Sequence, residues 1–299
     1  MVSEPASSRQ PDSLRIVVPF AAGGTTDLTA RILADTIQQH SGQSVTVENR
    51  PGGFAAVALD HVMRHPADGR TLFIIANGVT TQKHYLPNAR NPLNELAIVS
   101  IIAESPMVLL SAGGLPIESA TDLISYARSN PNRLNYGTVG QGGTLQMAAD
   151  LLQRSAGISM TAVGYQGGAP ATTDLIAGRI QILFDSVAVG AQTIRSGNVR
   201  PLAVTSPNRS RFMPDVPTFK ELGYDINFTP WQAIFVSAAT PEPIKYRLNN
   251  TIRRALQNPT AVQRYIDIGM ERVLGTTVFE SERVLDQEVS RWNSILESR

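Results

Sequence analysis

Short apolar runs alternate with amphipathic stretches along most of the chain. Residues 14–20, Leu-Arg-Ile-Val-Val-Pro-Phe, form a β-branched run that stops just before the glycine pair Gly23-Gly24. From 26 to 40 the apolar residues Leu28, Ile32, Leu33 and Ile37 recur near helical spacing, which predicts a helix. Residues 44–48 alternate as a half-buried strand does, and 55–64 read as helix. Residues 71–75, Thr-Leu-Phe-Ile-Ile, have the near-continuous apolarity of a strand buried in a parallel sheet. The order βαβαβ opens a doubly wound α/β lobe.

Two more apolar runs, 97–103 and 107–111, flank Ser105-Pro106, where the chain is expected to cross to a second lobe. A second α/β series follows. It has helices over 119–129, 144–156 and 170–177, and strands over 134–136, 160–165, 180–185 and 201–205. Thr229-Pro230-Trp231 marks the return crossing, then a strand over 233–237 and two or three helices to 297. The expected division is 1–104 plus 229–299 for one lobe and 105–228 for a lobe inserted between them. Two crossings make a hinge, and a small ligand is expected in the cleft between lobes.

Length agrees, since 299 residues suffice for about two domains. A net charge of +1 gives no electrostatic reason to bind nucleic acid. The absence of cysteine excludes disulfides, iron–sulfur clusters and a thiol nucleophile. His61 and His65 stand at i, i+4 on a predicted helix, but the Glu of HExxH is missing, so surface histidines are expected and no metal. No apolar window of about 20 residues is present to span a bilayer. The polar, Pro/Ser-rich segment 1–13 reads as a leader without signal-peptide character.

Three segments share one design of strand, glycine-rich loop and helix start. They are Val17-Val-Pro-Phe-Ala-Ala-Gly-Gly-Thr-Thr-Asp27, Tyr136-Gly-Thr-Val-Gly-Gln-Gly-Gly-Thr144 and Val163-Gly-Tyr-Gln-Gly-Gly-Ala-Pro170. A helix N-terminus leaves N–H groups unpaired and carries partial positive charge, and glycine lets the backbone approach a ligand. Such a site holds an anion without a basic side chain. Thr25 or Thr26, and Thr144, are candidate caps or hydroxyl donors, and Asp27 suits the first-turn dipole. Neither the dinucleotide nor the P-loop fingerprint fits, because Leu145 and Gly143 occupy the positions those patterns reserve for glycine and lysine. No cofactor is expected. No nucleophile elbow or S-x-x-K set occurs, so the chain reads as a binding module and not an enzyme. Asp185 either faces the cleft or caps the segment that starts at Ser186. Trp231 either covers a ligand or packs in the hinge.

Together these motifs resemble the receptors of tripartite tricarboxylate transporters, the Bug family. The resemblance rests on the first loop, extended through Arg31, and on Val47-Glu-Asn-Arg-Pro-Gly-Gly53 and Pro66-Ala-Asp-Gly-Arg-Thr-Leu72. It continues through the second and third loops, Asp174-Leu-Ile-Ala-Gly-Arg179, Phe184-Asp185, Pro214-Asp-Val-Pro-Thr218, Trp231 and Pro241-Glu-Pro243. It implies an α/β type II periplasmic-binding-protein fold, with two doubly wound lobes and an interlobe cleft. It also implies a periplasmic receptor that passes a small carboxylate (a dicarboxylate, acidic amino acid or aromatic acid) to membrane permease subunits. A monomer is expected, since a cleft that closes on a small ligand needs no second subunit. A ligand-sensing receptor feeding a signalling partner is the alternative. The family's site carries over to Phe20, Ala22, Gly23, Gly24 and Asp27, to Thr138, Gly140 and Thr144, and to Gln166, Gly167 and Asp185, with the carboxylate held mainly by backbone amides and waters. The chain departs from the family at Thr138 and Thr144, where serine is common, at Phe54, and at Asn77-Gly78-Val79. These positions would act on the ligand's distal end.

Overall fold

The computed structural model describes residues 13–86, 90–195 and 198–297. Residues 1–12 of the expected leader lie outside this range, as does the Phe54 side chain. The first βαβαβ is present: β1 (Leu14–Val18), α1 (Thr25–Ser41), β2 (Val45–Asn49), α2 (Ala56–Met63) and β3 (Thr71–Ala76). β1 pairs in parallel with β2 and β3. A 3₁₀ segment (Asn77–Thr80) and the short α3 (Gln82–Tyr85) follow β3, and the sequence pattern predicts neither. The chain continues with β4 (Leu96–Glu104), β5 (Met107–Ala112), α4 (Ala120–Ser129), β6 (Asn135–Val139), α5 (Thr144–Ala156) and β7 (Thr161–Tyr165). Then come α6 (Gly168–Ile176), β8 (Ile182–Ser186), α7 (Val187–Ile194), β9 (Val199–Val204) and β10 (Trp231–Ser237). α8 (Glu242–Leu256), α9 (Pro259–Asp267), β11 (Arg272–Val273) and α10 (Val278–Glu297) end the chain.

Two sheets result, ordered β11-β4-β10-β3-β1-β2 and β7-β6-β8-β5-β9. β10 enters the first sheet antiparallel between β3 and β4. The central strands of each sheet are buried on both faces. In the first, Ile16, Leu72, Ile74 and Ile234 pack with α1 and α8, while Val17, Phe73, Ala233 and Phe235 pack with α2. Such two-sided burial is why the strands read as apolar runs and not as alternating ones. The crossing segments lie side by side, with the Ser105 N–H donating to Pro230 O at 3.0 Å.

α10 joins both units. Its first turns pack on β4 and α8, while Trp292 and Leu296 sit in the core of the second sheet. Trp292 is fully buried, 5.8 Å from Phe228 edge-to-face, and donates to Glu288 Oε1 at 2.9 Å.

Candidate functional site

Parallel β1 and β3 open their following loops on one edge of the first sheet, and β6, β7 and β8 do the same on the second. These two edges face each other. A Cβ built on Gly78, just past β3, would meet Gly142 O at 3.4 Å and Thr144 N at 3.7 Å. The Thr81 hydroxyl donates to Gly142 O at 2.8 Å. This is the crevice beyond the carboxyl ends of the strands, where open α/β sheets bind ligands.

All three glycine loops lead into helices whose N-caps are glycine: Gly24 for α1, Gly143 for α5 and Gly167 for α6. None has a side-chain cap bond, so the expected capping by Thr25, Thr26 or Thr144 is not found. The reason is register: each threonine falls inside the helix, one or two positions past the cap. By contrast, Ser119, Ser186 and Asn258 do cap α4, α7 and α9 through their side chains. The three helices at the crevice therefore start without the side-chain acceptor that would compete with a ligand for their leading N–H groups.

Two of these starts are built alike. In α1 the third residue, Asp27, reaches back so that Gly23 N–H donates to its Oδ2 at 2.8 Å. In α5 the third residue, Gln146, does the same for Gly142 N–H at 2.9 Å. Each side chain satisfies the donor before the cap and leaves the later ones free. Gln146 is not among the residues that the family resemblance carries over, although its spacing from Gly142-Gly143 matches that of Asp27 from Gly23-Gly24.

Asp27 is 1 % exposed. Besides Gly23, it accepts from Arg31 Nε at 3.0 Å and Asn49 Nδ2 at 2.9 Å. Burial acts to raise its pKa, but the bonds from Arg31, Gly23 and Asn49 outweigh it and hold the carboxyl below the usual range. Its geometry is that of a loop anchor. Asn49 also donates to Phe20 O at 3.0 Å, so the Asn of the Asn-Arg-Pro motif fixes both ends of the turn. Gly23 has φ +90°, a conformation that favours glycine. Ala22, Gly23 and Gly24 are exposed and Phe20 is half-buried.

In the second unit Thr138 is buried, and its hydroxyl donates to Gly140 O at 3.1 Å. Thr138 and Gly140 line a cavity of about 430 Å³ with Gln141, Gln146, His84 and Tyr85. Since α3 comes from the first unit, the cavity lies between the two, but residues 20–27 do not line it. Gly142, with φ +75°, lies against the Tyr85 ring, and the Tyr85 hydroxyl donates to Asp150. Gln166 is exposed and Gly167 half-buried at the start of α6. Asp185 accepts from Ser186 N–H at 2.7 Å and from the Thr172 hydroxyl of α6 at 3.4 Å. Burial pushes its carboxyl up to about 6, and the Ser186 and Thr172 bonds oppose the shift.

Trp231 is 4 % exposed and packs in the core of the first sheet, directly after the return crossing. His61 lies 3.2 Å from Glu48, and among the described residues no group of three or more His, Cys, Asp or Glu could hold a metal ion. No described helix is long and apolar enough to cross a membrane.

Residues 29–299 match the family described as tripartite tricarboxylate transporter family receptor. The chain belongs to this family. It is 30% identical over 287 residues to protein BugT of Bordetella pertussis, covering 95% of this chain and 88% of the relative. The solved structure of Rpa4515 from R. palustris with adipate has a TM-score of 0.86 at 32% identity, covering 95% of this chain and 96% of that one. MatC from Rhodopseudomonas palustris with bound malate has a TM-score of 0.85 at 28% identity, covering 95% and 98%. The family is one of solute-binding receptors, and its two-lobed α/β fold is the fold seen here. Within that frame the departure at Asn77 has a structural setting. Asn77 is fully buried and donates to Glu288 of α10 at 3.2 Å, the same carboxylate oxygen that accepts from Trp292.

Proposed function

We propose that the protein is a periplasmic receptor that captures a small carboxylate between two lobes and delivers it to permease subunits of a tripartite tricarboxylate-type transporter. The carrying observation is the set of three glycine-capped helix starts, two in one unit and one in the other, without side-chain caps. Each start offers unpaired N–H groups and a dipole worth about 0.3–1 kcal/mol to an anion, up to about 2 kcal/mol when partly buried. The lobes divide as 1–104 plus 229–299 and 105–228, with the last turns of α10 docked on the inserted lobe.

The site comprises the exposed first loop (Phe20, Ala22, Gly23, Gly24), anchored by Asp27, and Thr138, Gly140, Thr144, Gln166, Gly167 and Asp185 opposite. Closure brings these loops onto one anion, and the ligand favours the closed form by its differential affinity. The adipate and malate named for the two solved relatives support a dicarboxylate. The protein acts as a monomer and performs no chemistry on its ligand.

A thermal-shift panel of dicarboxylates, acidic amino acids and aromatic acids tests this. A ligand present at about 100 times its Kd adds about 2.7 kcal/mol. A selective shift by one carboxylate class is expected. Shifts by cationic or neutral solutes with none from carboxylates would overturn the reading.

A further inference from the structure

One polar side chain at the crevice has no role in the loops described above. Gln232 is the second residue of β10, immediately after the return crossing. Its register partners are Ala76, the last residue of β3, and Ala103 of β4. Ile74 and Ile234, two positions along, share the face covered by α1, so Gln232 lies on that face as well. β1 runs parallel to β3 with Val17 opposite Phe73. Phe20 lies two residues past the end of β1 and packs against the core on the α1 side. Ala76, Gln232 and Ala103 therefore form a row at the crevice edge of the sheet, with Phe20 beyond the end of β1.

Gln232 is 9 % exposed, and its Oε1 is sealed from solvent with no hydrogen-bond partner among the described residues. An unpaired buried carbonyl costs about 1–3 kcal/mol. A leucine of similar size would avoid that cost among these apolar neighbours. The amide Nε2 is not among the buried unpaired atoms and takes no hydrogen bond among the described residues, so the NH₂ is the open end of the side chain.

We infer that Gln232 is a specificity-determining residue of the carboxylate site: its NH₂ donates to the second carboxylate of a straight-chain diacid whose first carboxylate lies at the α1 N-terminus. The inference rests on the receptor reading above. Two strand spacings, about 10 Å, separate β1, which leads into the first loop, from β10. Both groups reach inward from there, which leaves the span of a short diacid between the donors. A neutral amide at this point accepts a second carboxylate and gives no counter-charge to an ammonium.

The test is calorimetric titration of wild type, Gln232→Leu and Gln232→Glu with succinate, glutarate and adipate, each against its monoacid (butyrate, valerate, hexanoate). Ligand-free melting temperatures serve as the folding control. Wild type is expected to prefer a diacid over its monoacid. Gln232→Leu is expected to lose roughly 10- to 100-fold in diacid affinity, the worth of a hydrogen bond to a charged group, with monoacid affinity nearly unchanged. Gln232→Glu is expected to lose more, through like-charge repulsion. A purely structural glutamine would, on replacement by leucine, lower the ligand-free melting temperature and weaken both acids alike, and that result overturns the inference. Wild type that binds monoacids as well as diacids overturns it while leaving the receptor reading intact. Wild type that binds no acid of either kind defeats both.

Discussion

Replacing Asp185 by asparagine separates the electrostatic cost of this carboxylate from its hydrogen bonding. The side chain ends β8, with Oδ1 accepting from Ser186 N–H and Oδ2 from Thr172. Asparagine keeps an acceptor for Ser186 and can donate to the Thr172 hydroxyl, so geometry is preserved while charge is removed. The folded pKa of about 6 lies above the ordinary 3.8. Between those values the folded protein binds more protons than the unfolded chain, so stability falls as pH rises through the window and the full cost is present above it. At 1.36 kcal/mol per pK unit the difference corresponds to about 3 kcal/mol, and partial solvent access reduces this to about 1–3 kcal/mol. Asp185→Asn should therefore match wild type near pH 4 and be more stable by that amount at pH 7.5. Thermal unfolding followed by circular dichroism from pH 4 to 8, in buffers free of carboxylates, measures it. For a chain of this size the gain corresponds to roughly 2–5 °C in Tm. Curves for the two proteins that run parallel across the whole range, or a gain at pH 4 that disappears at 7.5, would refute the reasoning.

Asn49→Ala removes the bonds to Phe20 O and Asp27, and should cost about 1–3 kcal/mol of stability and about tenfold in carboxylate affinity, read by thermal melts and titration calorimetry. Gly142→Ala would place its Cβ 2.6 Å from the Tyr85 ring at φ +75°, and should destabilise by about 1–3 kcal/mol in denaturant unfolding. Adding Tyr85→Leu should recover only the steric part. Trp292→Ala deletes a fully buried ring that ties α10 to the core of the second sheet, and should cost about 3–5 kcal/mol, with the Trp292 indole fluorescence lost and unfolding less cooperative.

Sequence by itself determined much of this protein. The run 71–75 announced a strand buried on both faces, and the alternation of strand and helix periods gave two α/β series. Glycine pairs followed by helical spacing located the three loops, and the Asn-Arg-Pro motif contains the Asn49 that anchors the first of them. These features are local, set by the 2.0 and 3.6 periods and by the φ freedom of glycine.

Other features depend on residues far apart in the chain, and only the tertiary structure decided them. The antiparallel insertion of β10 between β3 and β4 puts Gln232 beside Ala76, more than 150 positions away. No local pattern distinguishes Asp27, a carboxylate saturated by Arg31, Gly23 and Asn49, from a carboxylate free to meet a ligand. The helical pattern of α10 gives no sign that its first turns serve one sheet and Trp292 the other. Periodicity fixes which side of an element is apolar, but the choice of partner for that side is made by packing the whole chain.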